Sequence, residues 1–251
     1  WKHWFQVKNK LKNDLNINFD LIIDLQSKFR NTVILKKIKS KIFYSPTLNF
    51  SFSSEKKNYI SAKNNIDNIL LNLEKLLEIN IPLINYDINK IDKVFFDEAK
   101  KLLPDNNYIG FSITQGNKYR KKTWSTEKFI NVANNLNNQV PVFFIEKKNI
   151  QLIEEISSRV KKAIFPETNT SLSCPALITA LSTRLKKAIT IDNGIMHMMG
   201  LANIPMITLF GPTNSEKFAP KKRNVIILDS KKLYNSNDIS KITETDVLRE
   251  I

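Results

Sequence analysis

KAITIDNGIMHMMGLANIPMITLFGPTNSEKF, running from Lys187 to Phe218, is the stretch that decides the fold. Ala188 to Ile191 is apolar and rich in β-branched residues, which suits a strand buried on both faces. Asp192-Asn193-Gly194 then interrupts it with residues that favour turns and helix caps, glycine also tolerating backbone angles the others avoid. A helical pattern follows from Ile195 to Leu201 and closes at Asn203; Pro205 opens a second apolar run, Met206 to Phe210, that stops at Gly211-Pro212. Strand, turn, helix, strand is the order of a parallel crossover, and its turns at the carboxyl ends of strands face ligands. A plainer alternative stays open at this point: Asp192 only caps the helix and His197 only packs.

The same alternation extends outward. Strands are predicted at Tyr108–Ser112, Val140–Ile145, Ala163–Phe165 and Val225–Leu228. Helices are predicted at Glu127–Leu136 behind a Ser125 or Thr126 cap, at Asn149–Val160, and at Cys174–Leu185 with Pro175 in its first turn. Strands and helices in strict turn mean a parallel sheet covered on both faces. Nearer the start, Phe19–Asp24 and Lys41–Tyr44 read as strands around a helical pattern at Phe29–Ile38. A long helix is expected from about Tyr59 to Ile79, with Ile66, Ile69, Leu70, Leu73, Leu76 and Leu77 on one buried face. Pro82 ends it, and residues 82–107, with one short helix around Val94–Leu103, read as a connector. The expected domains are therefore 1–104, 105–230 and a tail helix in 231–251, its Ser240–Ile251 part able to reach back to the first half. The opening WKHWFQVKNKLK has no initiator methionine and carries Trp1, Trp4, Phe5 and Leu11 in an amphipathic pattern, so it reads as a chain begun in mid-domain.

Composition narrows the function. With 42% hydrophobic and 25% charged residues the chain matches a globular protein with a full core. No apolar run approaches the ~18 residues needed to span a bilayer, and the start lacks a signal-peptide shape, so the cytoplasm is the expected compartment. Cys174 is the only cysteine, and His3 and His197 are the only histidines, which removes disulfide frameworks and Cys- or His-rich metal sites; no metal is expected. Thirty-nine basic against 24 acidic side chains give +15, which favours anionic partners. The lysines are spread along the chain and no aromatic-interleaved basic motif or zinc-finger spacing occurs, so nucleic acid is not the expected partner.

Three turns of the second half gather polar groups at strand ends. The first runs from Ser112 through Thr114, Gln115, Gly116 and Asn117 to Lys118, Arg120, Lys121, Lys122 and Trp124, where hydroxyls, backbone N–H groups and lysines suit phosphate oxygens. The second is Asp192-Asn193-Gly194, where the N–H groups that open the Ile195 helix point at an anion and His197 lies on the first turn. The third is Gly211-Pro212-Thr213. Together they indicate a phosphate-bearing ligand. The spacings of a Walker A loop, GxGxxG and a Gly-x-Ser-x-Gly elbow do not occur.

Asp192-Asn193-Gly194-Ile195-Met196-His197, followed by Leu201-Ala202, Pro205 and Phe210-Gly211-Pro212-Thr213, resembles the signature of glycosyltransferase family 9, the ADP-heptose:lipopolysaccharide heptosyltransferases and relatives. Lys122-Thr123-Trp124 with Phe129 is similar to that family's Lys-x-Trp segment, and Asp20 to Gln26 with Arg30 to its Asp-Leu-Val-Ile-Asp-Leu-Gln segment. The resemblance implies a GT-B architecture of two Rossmann-like parallel-sheet α/β domains, the N-terminal one incomplete here, with the donor held mainly by the C-terminal one. It implies an inverting, metal-independent glycosyltransferase with no resident cofactor, moving heptose from an ADP-sugar to an anionic lipopolysaccharide-type glycolipid. Contact with the cytoplasmic face of the inner membrane would follow from such an acceptor. On this resemblance Thr114 and Lys122 contact the donor diphosphate, while Asp192, Gly194 and His197 form the nucleotide-sugar site; Gln115, Asn193, Gly211 and Pro212 complete the candidate substrate-binding set. Glu146 would hold the nucleoside sugar and Gln26 would face the cleft, or serve only as a turn residue.

The pattern also departs from the family. The Gly-Asp loop that carries the family's presumed base has no counterpart in this sequence, so no catalytic base is assigned. Phe144-Ile145-Glu146-Lys147-Lys148 lacks the glycines of the corresponding turn, and Asn193 and Met196 replace residues that are often small or hydroxylated. Two other readings stand beside the enzyme: a non-catalytic nucleotide-sugar-binding member, and a basic nucleic-acid-binding protein.

Overall fold

A computed structural model describes residues 18–55, 59–63, 65–81, 87–116, 122–221 and 223–251. The opening amphipathic pattern with His3, the loop residues Asn117, Lys118, Arg120 and Lys121, and Pro82 lie outside the described residues. The chain forms two compact units, residues 1–83 and 84–251.

In the first unit, β1 (Phe19–Ile23) and β2 (Ser40–Tyr44) pair in parallel, with Phe19 opposite Ser40 and Ile23 opposite Tyr44. Helix α1 (Phe29–Leu35) is their crossover. Asp24, fully buried just past β1, accepts from Thr32 Oγ1 (2.5 Å), Ser45 Oγ (2.9 Å) and the backbone N–H of Gln26 (3.0 Å). A buried carboxylate is tolerated only with partners of this kind.

Helix α2 covers Asn65–Leu77, and its Leu73 and Leu76 pack on Tyr44 and Phe50. It begins six residues later than the apolar periodicity suggested, for a specific reason. Asn72 donates from Nδ2 to the Ile60 carbonyl (2.7 Å) and accepts at Oδ1 from the Ile60 N–H (2.7 Å). A side-chain amide thereby replaces a strand partner for Ile60, and the residues before α2 run beside the helix instead of extending it.

In the second unit, α3 (Lys93–Leu102) starts at Asp92, whose side chain accepts from the Val94 N–H (3.1 Å). The segment that reads as a connector thus contains a helix that packs on α6 (Pro175–Ser182), with Ala99 and Leu103 in the same apolar cluster as Leu177 and Leu181. The sheet has five parallel strands: β3 (Tyr108–Ser112), β4 (Val140–Phe143), β5 (Leu185–Ile191), β6 (Met206–Phe210) and β7 (Val225–Asp229), ordered β4-β3-β5-β6-β7. Helices α4 (Thr126–Asn134), α5 (Ile150–Arg159) and α7 (Gly194–Leu201) complete the crossovers. Ser125 caps α4, accepting from Lys128 N–H.

Alternate residues of each central strand enter different cores. Ile109, Phe111, Ile189, Ile191, Ile207 and Leu209 face one side; Tyr108, Ala188, Met206 and Phe210 face the other. Burial on both faces is what the continuous apolar runs required.

Further elements differ from expectation. The helix expected to run to Leu185 stops at Ser182, and Arg184 donates to the carbonyls of Leu103 (3.0 Å) and Pro104 (2.7 Å), so Leu185 is free to begin β5. The strand expected at Ala163–Phe165 is a single bridge, Ile164 with Val142.

The tail is not one helix. It folds as α9 (Ser230–Tyr234), a 3-10 turn at Ile239–Lys241 and α10 (Glu244–Leu248), reached after a short α8 (Ser215–Phe218). Thr243 and Asp246 form a capping box that starts α10. The Ile242 carbonyl before it accepts from Trp124 Nε1 (2.8 Å) and Lys128 Nζ (2.7 Å), while Ile239, Ile242 and Val247 join the core of the second unit. These residues form one wall of the sheet they follow.

This wall explains Gly211. A Cβ there would lie 2.7 Å from Ile239 Cβ and 2.9 Å from its backbone nitrogen. Gly194 contrasts with it: its φ is not left-handed, and an added Cβ meets nothing within 4 Å. Gly211→Ala is therefore expected to destabilise the protein by about 1–3 kcal/mol through overpacking. Gly194→Ala is expected to be neutral or slightly stabilising, because alanine suits a helix better than glycine. Urea unfolding of both variants checks the pair.

Candidate functional site

In the sheet order the chain moves from β3 outward to β4, then returns to β5 on the opposite side of β3 and continues to β7. The reversal lies between β3 and β5, and at such a point the loops leaving the two carboxyl ends diverge and open a crevice. The sequence-predicted residues of the first two turns meet there.

Asn193 occupies the N-cap of α7, its Oδ1 accepting from the Met196 N–H (2.9 Å). Its Nδ2 crosses the crevice to Ser112 Oγ (2.8 Å) and the Thr114 carbonyl (2.9 Å). Lys122 pairs through Nζ with Asp192 Oδ2, both side chains largely shielded from water at 12% and 8% exposure. Gln115 accepts at Oε1 from the Lys122 N–H (2.9 Å), which positions the start of that side chain. Ser112, Thr114, Gln115, Lys122, Asp192 and Asn193 thus form one connected group on two neighbouring strand ends.

Gly194 opens α7 beside this group, exposed and without a side chain, so the first N–H groups of the helix are accessible. His197, on the first turn, meets solvent along part of its surface, while the protein crowding the rest holds its pKa below the usual imidazole value. The Asp192 carboxylate opposes that shift and Lys122 reinforces it. The depressed pKa favours the neutral ring near pH 7, able to donate from one nitrogen and accept at the other.

The remaining candidates sit elsewhere. Glu146 is exposed just beyond β4 and pairs with Lys148. A cleft of about 1000 Å³ lies over the ends of β3 and β4, walled by Thr114, Gln115, Trp124, Thr126, Lys148 and Asn149. It adjoins the β3 side of the crevice. Gly211 and Pro212, with Thr213, open into a separate cleft of about 370 Å³ bordered by Asp229, Lys231 and Lys232. Gln26 belongs to the first unit, where its Oε1 accepts from Asn31 Nδ2 (2.5 Å) and its N–H is held by Asp24.

One residue at these strand ends escaped sequence reasoning. Glu167 follows the Ile164 bridge, is 9% exposed, and its Oε1 finds no hydrogen-bond partner among the described residues. Burial, with the nearby Glu146 carboxylate adding to it, pushes its pKa up. The only signal was an acidic residue two positions past a short apolar run, which is too common to notice.

The second unit is thus a doubly wound parallel α/β sheet with cationic and amide groups at its reversal point. The profile of glycosyltransferase family 9 (heptosyltransferase) matches residues 6–247, and the chain belongs to that family of enzymes. Among solved structures it is similar to a family 9 glycosyl transferase from Veillonella parvula DSM 2008, with TM-score 0.72 and 19% identity over 98% of this chain and 77% of that one. It is also similar to E. coli heptosyltransferase WaaC with ADP (TM-score 0.69, 14% identity, 98% of this chain and 76% of that one). A third, E. coli WaaC with ADP-2-deoxy-2-fluoro heptose, gives TM-score 0.69 at 15% identity, covering 99% of this chain and 79% of that one. At these identities the likeness establishes the fold, an α/β fold with parallel sheets of the GT-B type. Among curated proteins, none matches the sequence. No helix among the described residues is long and apolar enough to cross a membrane.

The raised pKa of Glu167 fixes the sign of a pH effect. Above its folded pKa the protein carries a buried carboxylate that the unfolded chain would solvate, so stability from this group is lost as pH rises through that pKa. Glu167→Gln is therefore expected to raise Tm at pH 7, with the gain disappearing below the unfolded value of 4.5, and thermal unfolding across pH 4 to 8 measures it.

Proposed function

We propose that the crevice between β3 and β5 binds the diphosphate of a nucleoside-diphosphate sugar, ADP-linked heptose being the first candidate. The sugar goes to a hydroxyl of an anionic, lipopolysaccharide-type glycolipid. The observation that carries this reading is the Lys122–Asp192 pair set across the reversal point beside the open start of α7.

Breaking the bond between the anomeric carbon and the phosphate oxygen leaves negative charge on the nucleoside diphosphate. Stabilising that charge is the main task of such a site. Lys122 supplies a full positive charge held in place by Asp192, the first N–H groups of α7 supply directed donors, and neutral His197 supplies one more. These groups meet the charge requirement with no metal ion, so the reaction is proposed to be metal-independent. Inversion requires the acceptor hydroxyl to attack from the face opposite the leaving group while a base takes its proton; no residue of this chain is assigned that role. The cleft walled by Trp124 and Asn149 is also lined by Thr114 and Gln115, leaving room for the nucleoside; Glu146, which pairs with the cleft residue Lys148, is the proposed acceptor for its ribose hydroxyls. The ADP and ADP-sugar complexes of the similar heptosyltransferase support the choice of donor. The basic balance of the chain, +15, suits an acidic glycolipid at the cytoplasmic membrane face.

ADP is expected to raise Tm, since a ligand at a hundredfold excess over its Kd stabilises the native state by about 2.7 kcal/mol. Lys122→Gln keeps a hydrogen-bond donor for Asp192 but removes the charge, and it should weaken ADP binding by about 10- to 100-fold, the worth of a charged hydrogen bond. Gly194→Ala, harmless to the fold, should also weaken binding by placing a methyl group where the phosphate approaches. Absence of a Tm shift with ADP, UDP and GDP at millimolar concentration would refute the nucleotide site. Failure to release ADP from ADP-heptose in the presence of a lipid A-type acceptor would refute the transfer.

A further inference from the structure

We infer that Asn193 is a positioning residue: its side chain clamps the β3 loop to the first turn of α7 and so sets the gap between the two rims that hold the donor's phosphates. This rests on the nucleotide-sugar reading above and adds to it a residue whose side chain has no contact with the ligand.

The orientation of the amide is determined by its partners. The Met196 N–H can only donate, so it must meet Oδ1, and the Thr114 carbonyl can only accept, so it must meet Nδ2. With Ser112 Oγ as the second acceptor, both amide hydrogens are used. The Asn193 side chain therefore has no N–H left to offer a substrate, although its sequence position is that of a binding residue. Ser112 is fully buried, so its hydroxyl depends on partners inside the protein, and Asn193 is one.

The three contacts do different work. The Met196 contact holds the start of the helix and leaves the N–H groups of the first turn aimed outward. The Thr114 contact draws a carbonyl oxygen toward β5. A carbonyl beside a phosphate repels it, so turning this one into the protein removes a negative dipole end from the rim that Thr114 and Gln115 form. The Ser112 contact anchors both to the last residue of β3. The Lys122–Asp192 pair spans the same two loops, so the rims are tied by one charged link and one amide link. A shorter hydroxyl side chain at 193 would keep the helix cap and lose both cross-crevice bonds.

The test is Asn193→Ser in the full chain, read by amide hydrogen exchange and by ADP titration. Serine still caps α7, so protection of the first turn of α7 and of β5 should be unchanged. Exchange at residues 113–116 should rise about tenfold, the loss expected for two neutral hydrogen bonds, and the Kd for ADP should rise by a similar factor. Ser112→Ala, which removes one of the two links, should raise exchange at 113–116 less. Unchanged exchange at 113–116 in both variants would overturn the clamp. Faster exchange with unaltered ADP affinity would overturn its role in holding phosphate. If wild-type protein binds no nucleoside diphosphate while exchange still rises in Asn193→Ser, the clamp stands and the nucleotide-sugar reading falls.

Discussion

A parallel sheet that reverses its winding leaves a gap where two neighbouring strands send their loops in opposite directions. Here the gap lies between β3 and β5, and it is bridged by the Lys122–Asp192 ion pair and by Asn193 reaching Ser112 and Thr114. The backbone ladder between β3 and β5 ends at Ser112 and Thr190, and beyond that point these side chains link the strand ends. The ion pair is largely shielded from solvent and the amide link partly so, which makes a missing partner costly. The arrangement of the remaining groups, from the open turn at Gly194 to the ring of His197, follows from where these two links place the start of α7.

The same economy appears in the tail of the second unit. Residues beyond β7 contribute no strand, yet Ile239, Ile242 and Val247 cover the sheet, and the Ile242 carbonyl satisfies the indole of the fully buried Trp124. That indole belongs to the Lys-x-Trp segment two residues from Lys122. The segment therefore has two jobs, one cationic at the crevice and one apolar in the core. Gly211 sits against the same wall, which gives the Gly-Pro-Thr turn a packing role whatever its part in binding. In the first unit Asp24 does related work, its carboxylate gathering hydroxyls and N–H groups from the segments after β1 and β2.

Much of the fold was legible from pattern. Tyr108–Ser112 and Met206–Phe210 match their runs residue for residue, because a strand buried on both faces reads as a nearly continuous apolar segment, with Thr208 the one polar residue inside β6. Errors came where a single side chain redirected the backbone. Asn72 captured Ile60 and delayed α2, Arg184 captured the carbonyls near Pro104 and ended α6, and Thr243 with Asp246 restarted a helix inside the tail. Each depends on a partner distant in sequence or on local capping that periodicity does not register. Of the candidate site, Thr114, Gln115, Lys122, Asp192 and Asn193 were recognisable as polar residues at strand ends. Gly211 and Pro212 were equally recognisable, yet they open into a different cleft.

The sequence alone determined the alternation of strands and helices, the polar turns at the ends of β3, β5 and β6, and the family signature from Asp192 to Thr213, since these depend on residue types at short spacing. Only the tertiary structure decided which polar groups meet and which are spent within the protein. Asn193 has the chemistry of a ligand-binding residue, but bonds to Ser112 and Thr114 use both its amide hydrogens and one from the Met196 N–H uses its amide oxygen. Ser112 and Thr114 lie 81 and 79 residues before Asn193 in the chain, and only the strand order brings them beside it.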